Sequence, residues 1–258
     1  MAIAVTDDGY RLWYEAEGTG PAIVFPARFR IEQAALAKAL AHNHRVVRYK
    51  PRQVVGVLEP DDDAGGPWTP TTWTDYPMDQ EISDLHAVAD AAGVDDFVLA
   101  GYSGMAALAG FMVTATTRAT GLLIGGFPLL AGYDYWLGYV EGARAALLQA
   151  GLPDKANEHH MGVLLYRTWS DRDDTATLTA LPGPKILWYG SQDGEPDCRM
   201  HDYVGGSAIA RRIRATAPVL DGAGFTLLEF EGHDHIAALS TTDEIAPRLL
   251  IALAEAGW

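Results

Sequence analysis

The stretch Phe97-Val98-Leu99-Ala100-Gly101-Tyr102-Ser103-Gly104-Met105 decides how the rest of the chain is read. A short apolar run ends in Gly-x-Ser-Gly and passes straight into an Ala-rich segment with helical patterning, which reads as strand, sharp turn and helix. A turn that lifts a serine clear of a sheet needs unusual dihedrals and close backbone approach, and Gly101 and Gly104 stand on either side of Ser103 to permit both. Ser103 is therefore the candidate nucleophile. The competing reading is an ordinary strand-to-helix turn with a serine N-cap. Met105 occupies the position where Gly-x-Ser-x-Gly has its last glycine, so the motif is incomplete and the flanking chain must decide.

Working outward, the pattern alternates strand and helix. Upstream, β-formers at 2–5 and 11–17 flank the turn signal Asp7-Asp8-Gly9 and predict an antiparallel hairpin at a sheet edge. A continuous apolar run at 22–25, helical spacing at 31–40 and a second run at 45–49 form the first strand-helix-strand unit. Periodicity is lost over 50–77 among Asp61-Asp62-Asp63, Gly65-Gly66, Trp68 and Trp73, a long irregular loop. A helix is expected over 78–92, ended by Gly93, and another over 104–117 after the serine.

Downstream, 121–124 reads as a buried strand, 185–189 and 225–230 as two more, and 209–216 and 244–254 as helices. Residues 127–184 break the alternation: helical patterns at 139–150 and 161–169 come without a buried strand, and they read as an inserted lid (cap). The core is then 1–126 with 185–258. Tyr133, Tyr135, Trp136, Tyr139, Tyr166 and Trp169 give the insertion an aromatic density suited to covering an apolar ligand, or to packing the insertion onto the body.

With 258 residues, 48% of them hydrophobic, the chain is long enough for one α/β domain with a sizeable core. A net charge of -15 argues against a nucleic-acid partner, which needs a basic face. The single cysteine, Cys198, cannot form an internal disulfide and reads as an incidental thiol. No basic leader and no long apolar run are present, so a soluble, cytoplasmic protein without a membrane partner is expected; oligomeric state is not readable. His159-His160 lacks a third ligand at helical spacing, Asp61-Asp62-Asp63 lacks the rest of a calcium loop, and Gly125-Gly126 is not a nucleotide fingerprint. No metal or cofactor is expected.

An open parallel sheet places ligands beyond the carboxyl ends of its strands, so chemistry is sought in the loops that follow them. Three such loops answer: Ser103 after the central run, Gly190-Ser191-Gln192-Asp193, and Glu231-Gly232-His233-Asp234-His235. A serine hydroxyl needs a base to take its proton, and the base needs a third group to fix its tautomer; serine, aspartate and histidine in this order form such a set.

Through these three motifs, and along nearly its whole length, the chain resembles the α/β-hydrolase superfamily. The resemblance implies a mostly parallel eight-stranded sheet flanked by helices, with a small helical lid after strand 6. It also implies Ser103 as nucleophile, Asp193 as acid and His235 as base. Gly232-His233-Asp234-His235 satisfies both forms of the family's histidine motif. His235 is preferred for its spacing to the closing helix, with His233 as an alternative base or a supporting group. The backbone N–H groups of Gly104 and, by position, Arg28 would form the oxyanion hole.

Three departures surround this cleft: Met105, Pro26-Ala27-Arg28 in place of His-Gly, and Lys50-Pro51-Arg52-Gln53 in place of Asp-x-Arg-Gly. Arg28, Arg30, Lys50 and Arg52 gather basic charge that could attract an anionic substrate, or else pair with Asp61-Asp62-Asp63 or lie solvated. Tyr102, Arg52, Tyr135 and Trp136 are the candidate substrate-binding side chains. The function expected is a serine hydrolase of a small, fairly apolar carboxylic ester or lactone, acting through an acyl-enzyme. The alternatives are a carbon–carbon hydrolase or a non-hydrolytic cyclase or lyase of specialised metabolism, or a ligand-binding protein with a vestigial triad. Epoxide and haloalkane hydrolysis are disfavoured because the elbow would then carry aspartate at position 103.

Overall fold

The computed structural model describes residues 2–27, 33–52, 65–66, 74–131, 133–170, 172–194 and 209–258. Arg28, Arg30, Asp61-Asp62-Asp63, Trp68, Trp73, Cys198 and the side chain of Tyr135 lie outside the described residues.

Eight strands form one sheet: β1 (Ala2–Val5), β2 (Arg11–Glu17), β3 (Ala22–Pro26), β4 (Arg45–Tyr49), β5 (Phe97–Tyr102), β6 (Ala119–Gly125), β7 (Lys185–Gly190) and β8 (Thr226–Phe230), in the spatial order β1-β2-β4-β3-β5-β6-β7-β8. The hairpin β1–β2 and the β2–β4 pair are antiparallel, and every other pair is parallel. The chain runs outward from β3 to β4, then returns past β3 to β5. The strand order therefore reverses between β3 and β5, where an open α/β sheet leaves a crevice at its carboxyl ends.

Period-two alternation decides which side chains meet. On β5, Phe97 and Leu99 join the cluster with α2 (Met78–Ala91) and α3 (Gly104–Met112), whereas Val98, Ala100 and Tyr102 join the cluster with α1 (Ala34–Leu40) and α10 (Thr242–Glu255). Both faces of the strand are covered, so its sequence is a continuous apolar run rather than an alternating one. α3 stops at Met112, short of the expected 117, because Val113, Thr114, Thr116 and Thr117 are β-branched and Thr114 Oγ1 donates to the Phe111 carbonyl. The helix at 209–216 instead runs on as Ile209–Gly222 through Pro218.

Between β6 and β7 the described residues form α4 (Asp134–Gln149), α5 (Pro153–Glu158), α6 (His160–Trp169) and α7 (Thr175–Thr179), with no strand among them. α8 is Ile209–Gly222 and α9 is Ala237–Ser240. Trp169 anchors the inserted helices: it stacks on Tyr133 at 4.2 Å, meets Phe111 of α3 at 5.2 Å, and lies where a Cβ on Gly110 would be 3.3 Å from its ring. Among the described residues no helix is long and apolar enough to cross a membrane.

Arg52, just beyond β4, ties the edge hairpin to α2. Its guanidinium donates through Nε to Asp84 Oδ2 at 2.6 Å and through Nη1 to Asp8 Oδ2 at 2.8 Å, with the Tyr10 ring 4.4 Å away. Arg52 and Asp84 are buried, and Asp8 holds the hairpin turn through Thr6 and Tyr10. Burial pushes the Asp84 carboxyl up, and the guanidinium opposes that rise. Replacing Arg52 with methionine strands a buried carboxylate, so Arg52→Met should lower unfolding free energy by about 3–5 kcal/mol at neutral pH. A carboxyl raised in the folded state costs stability as pH rises through its titration, so the deficit should shrink in acid, which denaturant titration at two pH values checks.

Candidate functional site

Ser103 joins β5 to α3 with φ 54° and ψ -126°. Positive φ is uncommon for a residue with a side chain, and strain of this kind costs about 1–3 kcal/mol unless the surroundings enforce it. They do so here. Ser103 N–H donates to the Gly125 carbonyl at the end of β6 (2.9 Å), and its own carbonyl accepts the first turn of α3 from Ala106 and Ala107 (2.9 and 3.1 Å). A Cβ on Gly101 would lie 2.5 Å from the Met105 carbonyl oxygen, so the helix can approach the strand this closely only because residue 101 is glycine. The close approach is made at Gly101, which leaves the Met105 side chain to fill the core at 5% exposure. Ser103 stands at the N-cap position yet makes no side-chain capping bond, which removes the ordinary reason for a serine there.

Asp193 follows β7 and His235 follows β8. Asp193 is fully buried and His235 is 3% exposed, and Nδ1 of the imidazole meets both carboxylate oxygens, at 3.0 and 2.8 Å. A carboxylate only accepts, so Nδ1 carries the proton shared with Asp193, and Nε2 is the ring nitrogen left to act as a base. Burial pushes the Asp193 carboxyl up, against the opposing pull of the His235 hydrogen bond and charge. The His235 ring is 5.0 Å from the ring of Tyr102, the residue before Ser103, and a Cβ on Gly126 would come within 2.9 Å of its Cε1. The imidazole thus borders the serine turn.

His233 has other partners. Nδ1 is 3.0 Å from the Glu231 carbonyl, Nε2 is 3.4 Å from Glu244, and the ring stands edge-on to Phe230. Its carbonyl accepts from Gln192 N–H at 2.9 Å, which joins the histidine loop to the aspartate loop. Gly104 opens α3, so its N–H is among those that no carbonyl within the helix can reach.

The remaining expected site residues are placed differently. Arg52 is held by Asp84 and Asp8, and its burial leaves it at 1% exposure. Tyr102, expected among substrate-binding groups, is also 1% exposed, on the α10 side of the sheet, and its hydroxyl donates to the His235 carbonyl at 2.7 Å. Trp136 belongs to the aromatic stack of the inserted helices, 6.1 Å from Phe127 and 6.4 Å from Tyr166. Arg28 lies outside the described residues. Among the described residues no group of three or more histidine, cysteine or acidic side chains is arranged to hold a metal ion.

Sequence reading passed over Gln33, a polar residue inside an apparently helical pattern. It precedes α1 with φ 59°, is 5% exposed, and among the described residues neither its amide oxygen nor its nitrogen has a hydrogen-bond partner. A buried amide left so costs about 1–3 kcal/mol. Like Ser103, it lies beyond the carboxyl end of a strand at the crevice between β3 and β5.

Comparison with known proteins bears on the fold. No protein-family profile matches the chain, and neither does any curated protein. Solved structures do. An α/β hydrolase of Sphaerobacter thermophilus superposes with a TM-score of 0.63 at 21% identity, covering 97% of this chain and 99% of its own. The chain has the α/β-hydrolase fold. An enol-lactonase of Burkholderia xenovorans (TM-score 0.63, 17% identity, 98% of this chain and 100% of its own) shares it. So does a carboxylesterase of Nitrososphaera gargenis (0.65, 13%, 99% and 99%).

Because burial raises Asp193, its ionised form costs stability that grows as pH rises through its titration. Asp193→Asn removes that charge while keeping an acceptor for Nδ1. It should raise the thermal midpoint at neutral pH by about 2–4 °C, the shift that roughly 1 kcal/mol produces in a chain of this size, and the gain should close in acid. Calorimetry at pH 7 and in the carboxylate range checks this, and a variant less stable at pH 7 contradicts it.

Proposed function

We propose that the protein is a serine hydrolase that cleaves a small, fairly apolar carboxylic ester or lactone through an acyl-enzyme. The observation that carries this reading is the strained, non-capping Ser103 beside a buried Asp193–His235 pair, each at the carboxyl end of its strand. In the first half-reaction Ser103 Oγ bonds to the substrate carbonyl carbon while His235 Nε2 takes its proton. The tetrahedral oxyanion is stabilised by the N–H of Gly104, a donor worth about 3 kcal/mol when well aimed, with Arg28 N–H as the proposed second donor. His235 then gives the proton to the departing alkoxide. Water, deprotonated by the same imidazole, attacks the acyl carbon; the bond to Ser103 Oγ then breaks, Oγ takes the proton back from His235, and the acid is released. Asp193 keeps the imidazole in the Nδ1–H tautomer and stabilises the imidazolium.

Residues 127–184 are proposed as the lid over this site. The apolar character proposed for the substrate draws on its aromatic stack of Phe127, Tyr133, Trp136, Tyr166 and Trp169. Neighbours of the same fold that are an enol-lactonase and a carboxylesterase are consistent with an ester-like substrate. The test uses a fluorophosphonate probe and p-nitrophenyl acetate. Labelling of Ser103 is expected, and Ser103→Ala should lower kcat/KM by at least about 10³-fold. An unlabelled protein, or a variant as active as the wild type, overturns the reading.

A further inference from the structure

The residue that precedes the candidate nucleophile has a buried hydroxyl, and that hydroxyl reaches the backbone of the candidate base. Tyr102 is the last residue of β5, and strand alternation turns its ring into the apolar cluster of Phe25, Trp188, Phe230 and Ala238 rather than toward α3. A phenol in such surroundings costs free energy unless its O–H finds an acceptor. Its acceptor is the main-chain carbonyl of His235, at 2.7 Å. Phenylalanine would fill the same volume, so packing alone does not explain the oxygen.

The histidine loop needs such a tether. Glu231, Gly232 and Ile236 are exposed, and the Asp193 bond fixes only Nδ1 of the ring, leaving the backbone from which the ring hangs to be held by other means. Gly232 N–H donates to Ser191 Oγ at 2.8 Å and Gln192 N–H to the His233 carbonyl at 2.9 Å, which ties the start of the loop to the aspartate loop, and two donors from the sheet hold its further end. Tyr102 reaches the His235 carbonyl, and Trp188 of β7, 5.6 Å from the Tyr102 ring, donates its indole N–H to the Ala238 carbonyl at 3.0 Å. The approach is possible because Gly126 has no Cβ, which would lie 2.8 Å from Tyr102 Oη and 2.9 Å from His235 Cε1.

We infer that Tyr102 is a positioning residue that sets the distance between nucleophile and base. The path from Ser103 to His235 is one peptide bond, one aromatic side chain with two rotatable bonds and one hydrogen bond. Such a path is short enough to hold the reacting groups in the narrow geometry that proton transfer requires. A substrate-binding role for the ring is replaced by one exerted through His235.

The inference rests on the reading of Ser103, His235 and Asp193 as a triad, and Tyr102→Phe tests it with two readouts. The first is the downfield proton resonance of His235 Nδ1–H in the full chain; the second is the kinetics of p-nitrophenyl acetate hydrolysis. Losing the tether should broaden the resonance by faster exchange and lower kcat roughly five- to twenty-fold while KM stays within about twofold, the effect of one buried hydrogen bond. An unchanged resonance with unchanged kcat overturns the inference, as does a rise in KM alone, which would return Tyr102 to substrate binding. If the wild type turns over no ester, the hydrolase reading falls, and the resonance alone decides the tether: broadened supports it, unchanged overturns it.

Discussion

A serine held at φ 54° and ψ -126° sits outside the basins that a residue with a side chain occupies at low cost, and the architecture around it exists to keep it there. The enforcing contacts come from three directions. The end of β6 accepts its N–H, the first turn of α3 donates to its carbonyl, and Gly101 removes the Cβ that would hold helix and strand apart. The buried faces of β5 and α3 oppose relaxation, because moving the turn would break the packing of Leu99, Ala106 and Leu108 in the same core. Strain at one residue is offset by burial at many.

The same end of the sheet tolerates a second cost. Asp193 is fully buried, and the desolvation of its carboxyl is only partly offset by His235. Such a pair is a poor device for stability and a good one for fixing an imidazole. Gln33, with its unpaired buried amide at the neighbouring strand end, adds a third unfavourable group. These three residues follow the ends of β7, β3 and β5, and tolerating their cost is what the chemistry proposed for this end of the sheet requires.

Much of this was legible in the sequence because it is written locally. Apolar runs bounded by turn residues located β1 to β8, and the three chemical groups could be sought at strand ends because open parallel sheets present ligands there. Preference for His235 over His233 came from the family resemblance, through the spacing to the closing helix, and Asp193 pairs with His235. What was not legible depends on partners far apart in the chain. Arg52 looked like a cleft cation because Asp8 and Asp84 are 44 and 32 residues away. Tyr102 looked like a ligand contact because nothing local shows that it faces α10 and the His235 carbonyl, 133 residues on. Met105 left the motif incomplete in the sequence, because the missing Cβ that admits the helix belongs to Gly101, on the other side of the turn.

The role proposed for Ser103, forming and releasing an acyl group, is open to test at the covalent step itself. The direct measurement is intact-protein and peptide mass spectrometry on samples quenched within the first turnovers of p-nitrophenyl acetate. A transient acetyl adduct is expected on the peptide containing Ser103, formed with the first burst of p-nitrophenolate and lost as the acid is released. Ester turnover with no adduct at Ser103, or an adduct on another residue that forms and decays at the catalytic rate, would contradict it.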